Sequence, residues 1–407
     1  MLVTLPEPAC VPASRGAPLT PDKRRPRLLF LVTEDWYFCS HRLPAARAAR
    51  DAGFAVAVAT RVRAHGRRIA EEGFTLHPLG WRRRGDGLAG ALRAIAEIAR
   101  LYRAECPDIV HHVALKPVLY GALARRLAFP SGAGAPSVIA TVMGLGSGFT
   151  AGDLGARLRR PALGRMLAWL ARGSHVIVQN PEDGAALRAR GLAAQRIVLI
   201  RGSGVDVRHF APLPEPQGAE VTVALVARML RQKGVIAAVE AVRRLRAQGQ
   251  TIALLLAGPV DPDNPDSLTA AELATLSAEP GIAWLGPVAD VRAVWARAAI
   301  ALLPSSYGEG VPKTLLEAAA CARPLIAADV PGCREVVRPG VTGLLVPPQD
   351  IDGLAAAIAA LAADPERRRT WGAAARDLVL RDFADRVVAR DTLALYRTLL
   401  REERKRG

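Results

Sequence analysis

At 407 residues, half of them apolar, the chain is too long for one ordinary core and too apolar for wholesale disorder, so two domains of under about 200 residues each are expected. The net charge of +17 invites nucleic acid, but only five of the 55 cationic residues are lysine and aromatics are 5%, which reads as genomic composition bias with little stacking surface; an anionic membrane fits better. Five scattered cysteines, Cys10, Cys39, Cys106, Cys321 and Cys333, never spaced CxxC, argue against a disulfide frame or structural zinc and fit a reducing cytoplasm. No apolar run is long enough to span a bilayer, and no secretory signal is visible.

Residues 1 to 25 hold five prolines and no periodicity, as a flexible leader would. From Arg27 the block LLFLV reads as a strand, TEDWYFCSH as a loop, RLPAARAARDAG as a helix stopped at Gly53, and FAVAVAT as a second strand. The rhythm continues with strand PDIVHHVA, helix KPVLYGALARRLA and strands PSVIATV, RGSHVIVQN and RIVLIRGS, so a parallel-sheet domain is expected over 26–208. Three prolines in HFAPLPEPQGAE mark a linker at 209–220. A second domain over 221–385 repeats the pattern: strand VTVALVA, helix VIAAVEAVRRLRAQG, then strands IALLLAG, IAWLG, AIALLPS and RPLIAAD. The last segment, 386–407, has helical periodicity and is a candidate to pack back on the first domain.

Three places carry chemistry in the second half. Strand AIALLPS runs through the glycine loop YGEGVP into helix KTLLEAAACA, with Pro312 expected in its first turn, an arrangement that collects backbone N–H groups around an anion at Gly310 to Lys313. Glu309 precedes that helix and Glu317 lies within it; considered alone, Lys313 and Glu317 are only an i, i+4 pair worth about 0.3 to 0.5 kcal/mol. The block VALVARMLRQKGV places Arg228 and Lys233 at a strand end, where open α/β sheets bind ligands. The carboxylates of DPDNPD, Asp261 to Asp266, suggest a metal, yet the intervening prolines favour a plain turn-rich loop, and no metal site is assigned.

The first half offers softer signals. No G-x-G-x-x-G follows the first strand, so a dinucleotide is not expected there. Instead Trp36, Tyr37, His41 and Arg42 fall in the first loop, His111, His112 and Lys116 around a later strand, and Gly144, Gly146 and Gly148 in a turn. A strand histidine such as His111 is as readily a satisfied core residue. The segment 155–173 mixes arginines with leucines and suits either a membrane surface or an ordinary amphipathic helix.

The run EGVPKTLLEA, with RPLIAADVPGCREVV and GVTGLLVPPQD after it, resembles the C-terminal signature of glycosyltransferase family four. The resemblance extends from about Arg27 to Tyr396 and is similar in particular to bacterial enzymes that add a sugar to polyprenyl-diphosphate-linked saccharides. It implies the GT-B fold, two Rossmann-like parallel-sheet domains facing a central cleft. It also implies that Glu309 contacts the transferred sugar, that Glu317 holds the ribose, and that Arg228 and Lys233 clasp the diphosphate as an R-x4-K-G element. Gly310, Val311, Lys313, Gly258 and Val288 would complete the nucleotide-sugar site, and His41, Arg42, His111, Lys116, Gly144 and Gly146 would face the acceptor.

The activity so implied is metal-independent, cofactor-free, retaining transfer of a hexosyl or N-acetylhexosaminyl group in polysaccharide biosynthesis. Its donor would be a UDP-sugar and its acceptor a lipid-linked saccharide, handled in the cytoplasm or on the inner membrane face, with no nucleic-acid partner. The alternatives are a non-hydrolysing nucleotide-sugar epimerase on the same fold and a basic protein that binds nucleic acid or membrane by charge alone.

Overall fold

The computed structural model describes residues 24–82, 87–142 and 173–404. The expectations placed on the leader, on Gly144, Gly146 and Gly148, and on 155–172 fall outside them. The described residues form two compact units, one of 24–142, 173–177 and 392–404, the other of 178–391.

Near-continuous aliphatic runs need cover on both faces, and such runs build two sheets whose described pairings are all parallel. The first contains β1 (Arg27–Glu34), β2 (Ala55–Arg61), β3 (Thr75–Pro78), β4 (Ile109–Val113), β5 (Ser137–Thr141), β6 (His175–Val178) and β7 (Ile197–Leu199) in the order β3-β2-β1-β4-β5-β6-β7. The second contains β8 (Val221–Val226), β9 (Ile252–Ala257), β10 (Ile282–Trp284), β11 (Ile300–Leu303), β12 (Leu325–Ala328) and β13 (Gly343–Val346) in the order β10-β9-β8-β11-β12-β13. Its strands alternate between two cores: Ala224, Leu255 and Leu303 pack with Trp295 and Leu315, whereas Val223, Leu254 and Leu302 pack with Val239 and Leu354. In each sheet the winding reverses between two neighbouring strands, β1 and β4 in one and β8 and β11 in the other. Loops leaving such a pair diverge and leave room for a ligand.

The first unit departs from the sequence reading at DWYFCSH, which is helix α1 (Asp35–His41) rather than loop. The buried Asp35 carboxylate starts it, accepting N–H groups from Trp36 at 2.7 Å, Arg63 at 2.7 Å and His65 at 2.8 Å, while Phe38 and Cys39 turn inward one turn later. Seven residues are too few for a helical period to stand out. Helices α2 (Leu43–Asp51), α3 (Gly66–Glu71), α4 (Gly87–Glu105) and α5 (Leu115–Ala128) follow. Pro312 also departs, capping the helix Lys313–Ala320 from extended backbone instead of occupying its first turn.

Both β4 histidines are core residues. His111 bonds Tyr396 Oη through Nδ1 and Thr141 Oγ1 through Nε2, each at 2.7 Å, and His112 Nε2 meets Tyr102 Oη at 2.8 Å. Gly121 of α5 makes room for the second ring, since a methyl group there would lie 2.4 Å from His112 Nε2. Gly121→Ala is therefore expected to destabilise the first unit by about 1 to 3 kcal/mol in urea titrations.

Burial, helped by Arg125, pushes the His112 pKa down to about 3, and burial likewise lowers His111. As pH falls through about 6.5 the unfolded chain takes up protons that the folded chain refuses, so stability held above that pH is lost on acidification, at up to about 1.4 kcal/mol per pH unit for each ring. Urea midpoints measured between about pH 7 and pH 5 should fall, and fall less steeply in His112→Gln. Equal slopes for both proteins would contradict this account.

Candidate functional site

The candidate site grows from the C-terminal ends of β8 and β11, the neighbouring strands where the second sheet reverses direction. After β8 the chain passes Arg228 and makes a short 3-10 turn, Arg231–Lys233; after β11 it enters the loop holding Ser305, Tyr307 and Glu309. Ser306 N–H donates to Gln232 C=O at 2.9 Å and ties the two loops together. Between them the Lys233 ammonium donates to the Glu309 carboxylate. Ser305 Oγ donates to the same carboxylate oxygen at 2.6 Å, and the Lys233 nitrogen lies 5.1 Å from the centre of the Tyr307 ring. Both charged side chains are largely buried, at 14% and 11% exposed. Burial opposes the lysine's charge, yet Glu309 and Tyr307 outweigh it and raise the Lys233 pKa. Burial also raises the Tyr307 pKa, with Glu309 adding to the rise.

Arg228 pairs with Asp261, a residue of the turn-rich loop that had suggested a metal. The loop is indeed a succession of turns, with Asn264 N–H donating to Asp261 C=O at 2.8 Å and Ser267 N–H to Asn264 C=O at 3.0 Å. Gly258 stands at its root. A side chain there would meet the Ala227 carbonyl at 1.8 Å, and its N–H and C=O are taken by Gly286 at 2.8 Å and the Trp284 ring N–H at 3.0 Å. Val288 is half-buried against the core of this unit.

The glycine loop is supported from below by the helix Pro331–Arg334, which approaches so closely that a side chain on Gly332 would sit 1.5 Å from the Gly310 carbonyl. Half-buried Gly310 and Lys313 and buried Val311 lie where the anion was expected. One donor of that cradle is engaged: Val311 N–H donates to Gln179 Oε1 at 2.9 Å. Glu317 lies further along the helix, partly buried. Burial pushes its pKa up to about 7 against the attraction of Lys313, and no hydrogen bond contributes.

Arg228, Lys233, Glu309, Gly310, Val311, Lys313 and Glu317 all lie in the second unit, where Lys233 and Glu309 are in direct contact. Sequence reasoning weighed Asp261 only as a metal ligand and not as the partner of Arg228, and it missed Gln179, Ser305 and Tyr307. The last two are adjacent enough to Glu309 to have been named from its loop, whereas nothing in VIVQN marks Gln179 as a partner 132 residues away. The acceptor-side candidates of the first unit are spread over different contacts. His41 stacks on Tyr37 at 4.0 Å, Arg42 is 2% exposed, His111 is in the core, and Lys116 bonds the Arg82 carbonyl and lies 5.1 to 5.4 Å from the rings of Tyr120 and Trp81.

The architecture is GT-B, and solved structures share it across 92 to 93% of this chain. Sucrose-phosphate synthase from Thermosynechococcus elongatus aligns with a TM-score of 0.76 at 23% identity over 93% of this chain and 100% of its own. Anabaena HepE in complex with UDP and glucose aligns with a TM-score of 0.72 at 18% identity over 92% of this chain and 100% of its own. Residues 27–180 match the family described as glycosyl transferase 4-like and residues 220–364 match glycosyl transferases group 1, so the chain belongs with the GT-B glycosyltransferases. Among curated relatives, alpha-maltose-1-phosphate synthase of Mycolicibacterium smegmatis is 35% identical over 226 residues, 51% of this chain, and the chain spans 58% of that relative's length.

Glu317 provides a test that needs no substrate. Its pKa lies above the ordinary carboxyl value of about 4.3, so the folded state holds a proton that the unfolded state has lost, and stability present at lower pH is lost as pH rises towards about 7. Glu317→Gln should therefore stabilise the ligand-free protein at about pH 8, by about 1 to 3 kcal/mol, and make little difference near pH 4. A destabilised variant at the higher pH would show that the carboxylate has a stabilising partner.

Proposed function

We propose that this chain is a retaining, metal-independent glycosyltransferase that moves a hexosyl or N-acetylhexosaminyl group from a nucleotide diphospho-sugar to a hydroxyl of a lipid-linked saccharide. The observation that carries the reading is the Lys233–Glu309 pair between the ends of β8 and β11, with Arg228 beside it and Glu317 further along the helix. Breaking a glycosyl–diphosphate bond builds negative charge on the leaving oxygens. Fixed cations in a largely dry site stabilise that charge without reorganising.

In this scheme Arg228 and Lys233 exchange their resting carboxylates for the diphosphate. Glu309, released from the lysine, takes hydroxyls of the transferred sugar, and Glu317 takes the ribose. The acceptor hydroxyl attacks from the face the diphosphate leaves and passes its proton to the leaving phosphate, so retention requires no enzymic nucleophile. Because HepE was captured with UDP and glucose, a UDP-sugar is the first donor to try.

The deciding experiment incubates the protein with a panel of nucleotide-sugars and a membrane lipid extract and follows new lipid-linked product by mass. Product should form equally in EDTA; abolition by chelator and rescue by manganese would overturn metal independence. Sugar interconversion without acceptor would indicate an epimerase instead.

Arg228→Ala should lower kcat by on the order of 10² to 10³, about 3 to 4 kcal/mol, by analogy with the loss of one oxyanion donor. Glu317→Ala should act mainly on the donor KM, because a ribose contact is unchanged in the transition state. Glu309→Gln should disturb both constants and loosen the choice between sugar epimers. Near wild-type kinetics in all three variants would place the donor elsewhere.

A further inference from the structure

Helices α4 and α5 cover the same face of the first sheet. Ala94, Ile98 and Tyr102 of α4 share a core with Ala124 and Ala128 of α5 and with Leu29 and Val110 of the strands. Their opposite sides face water, and what stands there is unusual. Leu88 and Leu92 of α4 are 79% and 59% exposed, and Leu115, Leu123 and Leu127 of α5 are 40 to 54% exposed. These are five of the nine large apolar side chains exposed among the described residues.

Every other exposed residue of the two helices is arginine, alanine or glycine, the arginines being Arg93, Arg100, Arg103 and Arg126. No exposed residue on either helix is acidic. The two carboxylates of α4 are half-buried and turned to neighbours, Glu97 towards the Gly80 N–H at 3.4 Å and Glu105 towards His77 Nε2 at 3.3 Å.

A face of leucine and arginine without acid narrows the partner by chemistry. Polynucleotides would use the arginines but offer nothing to exposed leucines, which lack a stacking face. A second copy docked face to face would bury the leucines but set arginines near arginines. A bilayer of anionic phospholipid satisfies both at once, with hydrocarbon for the leucines and phosphates above it for the guanidinium groups. We propose that the outer face of α4 and α5 is a docking surface for an anionic phospholipid bilayer. The proposal does not rest on glycosyl transfer, because vesicle binding requires neither donor nor acceptor.

The test is co-sedimentation of the full chain with vesicles of phosphatidylcholine alone or mixed with phosphatidylglycerol. The wild type should bind the mixed vesicles, more weakly as salt is raised. Replacing Arg93, Arg100 and Arg103 together by glutamine should weaken that binding on the order of 10²-fold at low salt, about fivefold for each arginine. Leu123→Gln with Leu127→Gln should weaken it about tenfold or more at any salt. Unchanged circular dichroism and urea midpoints would show that the variants fold.

Absence of wild-type binding to mixed vesicles would overturn the proposal. So would undiminished binding by both variants, which leave 155–173 intact and would assign any membrane contact elsewhere. A self-associating wild type whose sedimentation-equilibrium mass falls to that of one chain in the leucine variant would overturn it in favour of an interface between copies.

Discussion

A lysine and a glutamate that have both left water, on loops from adjacent strands, set the organisation of the second unit's strand ends. Either charge alone at that depth would carry a desolvation penalty of several kcal/mol, and mutual attraction offsets it only when geometry and additional hydrogen bonds are good. Ser305 and Tyr307 supply the additional contacts, and the Gln232–Ser306 backbone bond holds the loops in register. The approach of Gly332 beneath Gly310 then fixes the glycine loop from the other side. Parallel strands make this possible, because only where winding reverses do two neighbouring strands send their loops apart.

The charged groups of this region are treated in three ways. Lys233 and Glu309 are paired and nearly dry; Arg228 and Asp261 are paired with the arginine about one-third exposed; Glu317 is partly buried, and the attraction of Lys313 does not outweigh the effect of that burial. The third arrangement is unfavourable for the fold by itself, and in the function proposed above the ribose would supply its partner. Sites built for binding commonly retain such local conflicts, which stability alone would remove.

The first unit uses its polar side chains differently. His111, Asp35 and Lys116 bond groups of the protein itself, closing the core or fastening loops, and His112 bonds Tyr102 through one ring nitrogen. Its helices α4 and α5 then carry apolar and cationic groups outward together, so this unit presents surface where the other presents a walled site.

Much of the architecture was legible because a parallel sheet covered on both faces demands continuous aliphatic runs, and LLFLV, VTVALV and IALLLA are such runs. The strand–glycine–helix order around Glu309 was legible too, since local backbone geometry dictates where N–H groups gather. Short helices such as Asp35–His41 were not, because their start depends on Asp35 accepting N–H groups from residues 28 and 30 positions later. Asp261 looked like one carboxylate in a turn and became the partner of Arg228; Gln179 looked like a strand end and became the acceptor for the Val311 N–H. Sequence determined which segments pair and which loops can gather charge, because periodicity and backbone chemistry are local. Tertiary structure decided which charges pair and which histidines are spent in the core, because desolvation and hydrogen-bond partners are set by residues far apart in the chain.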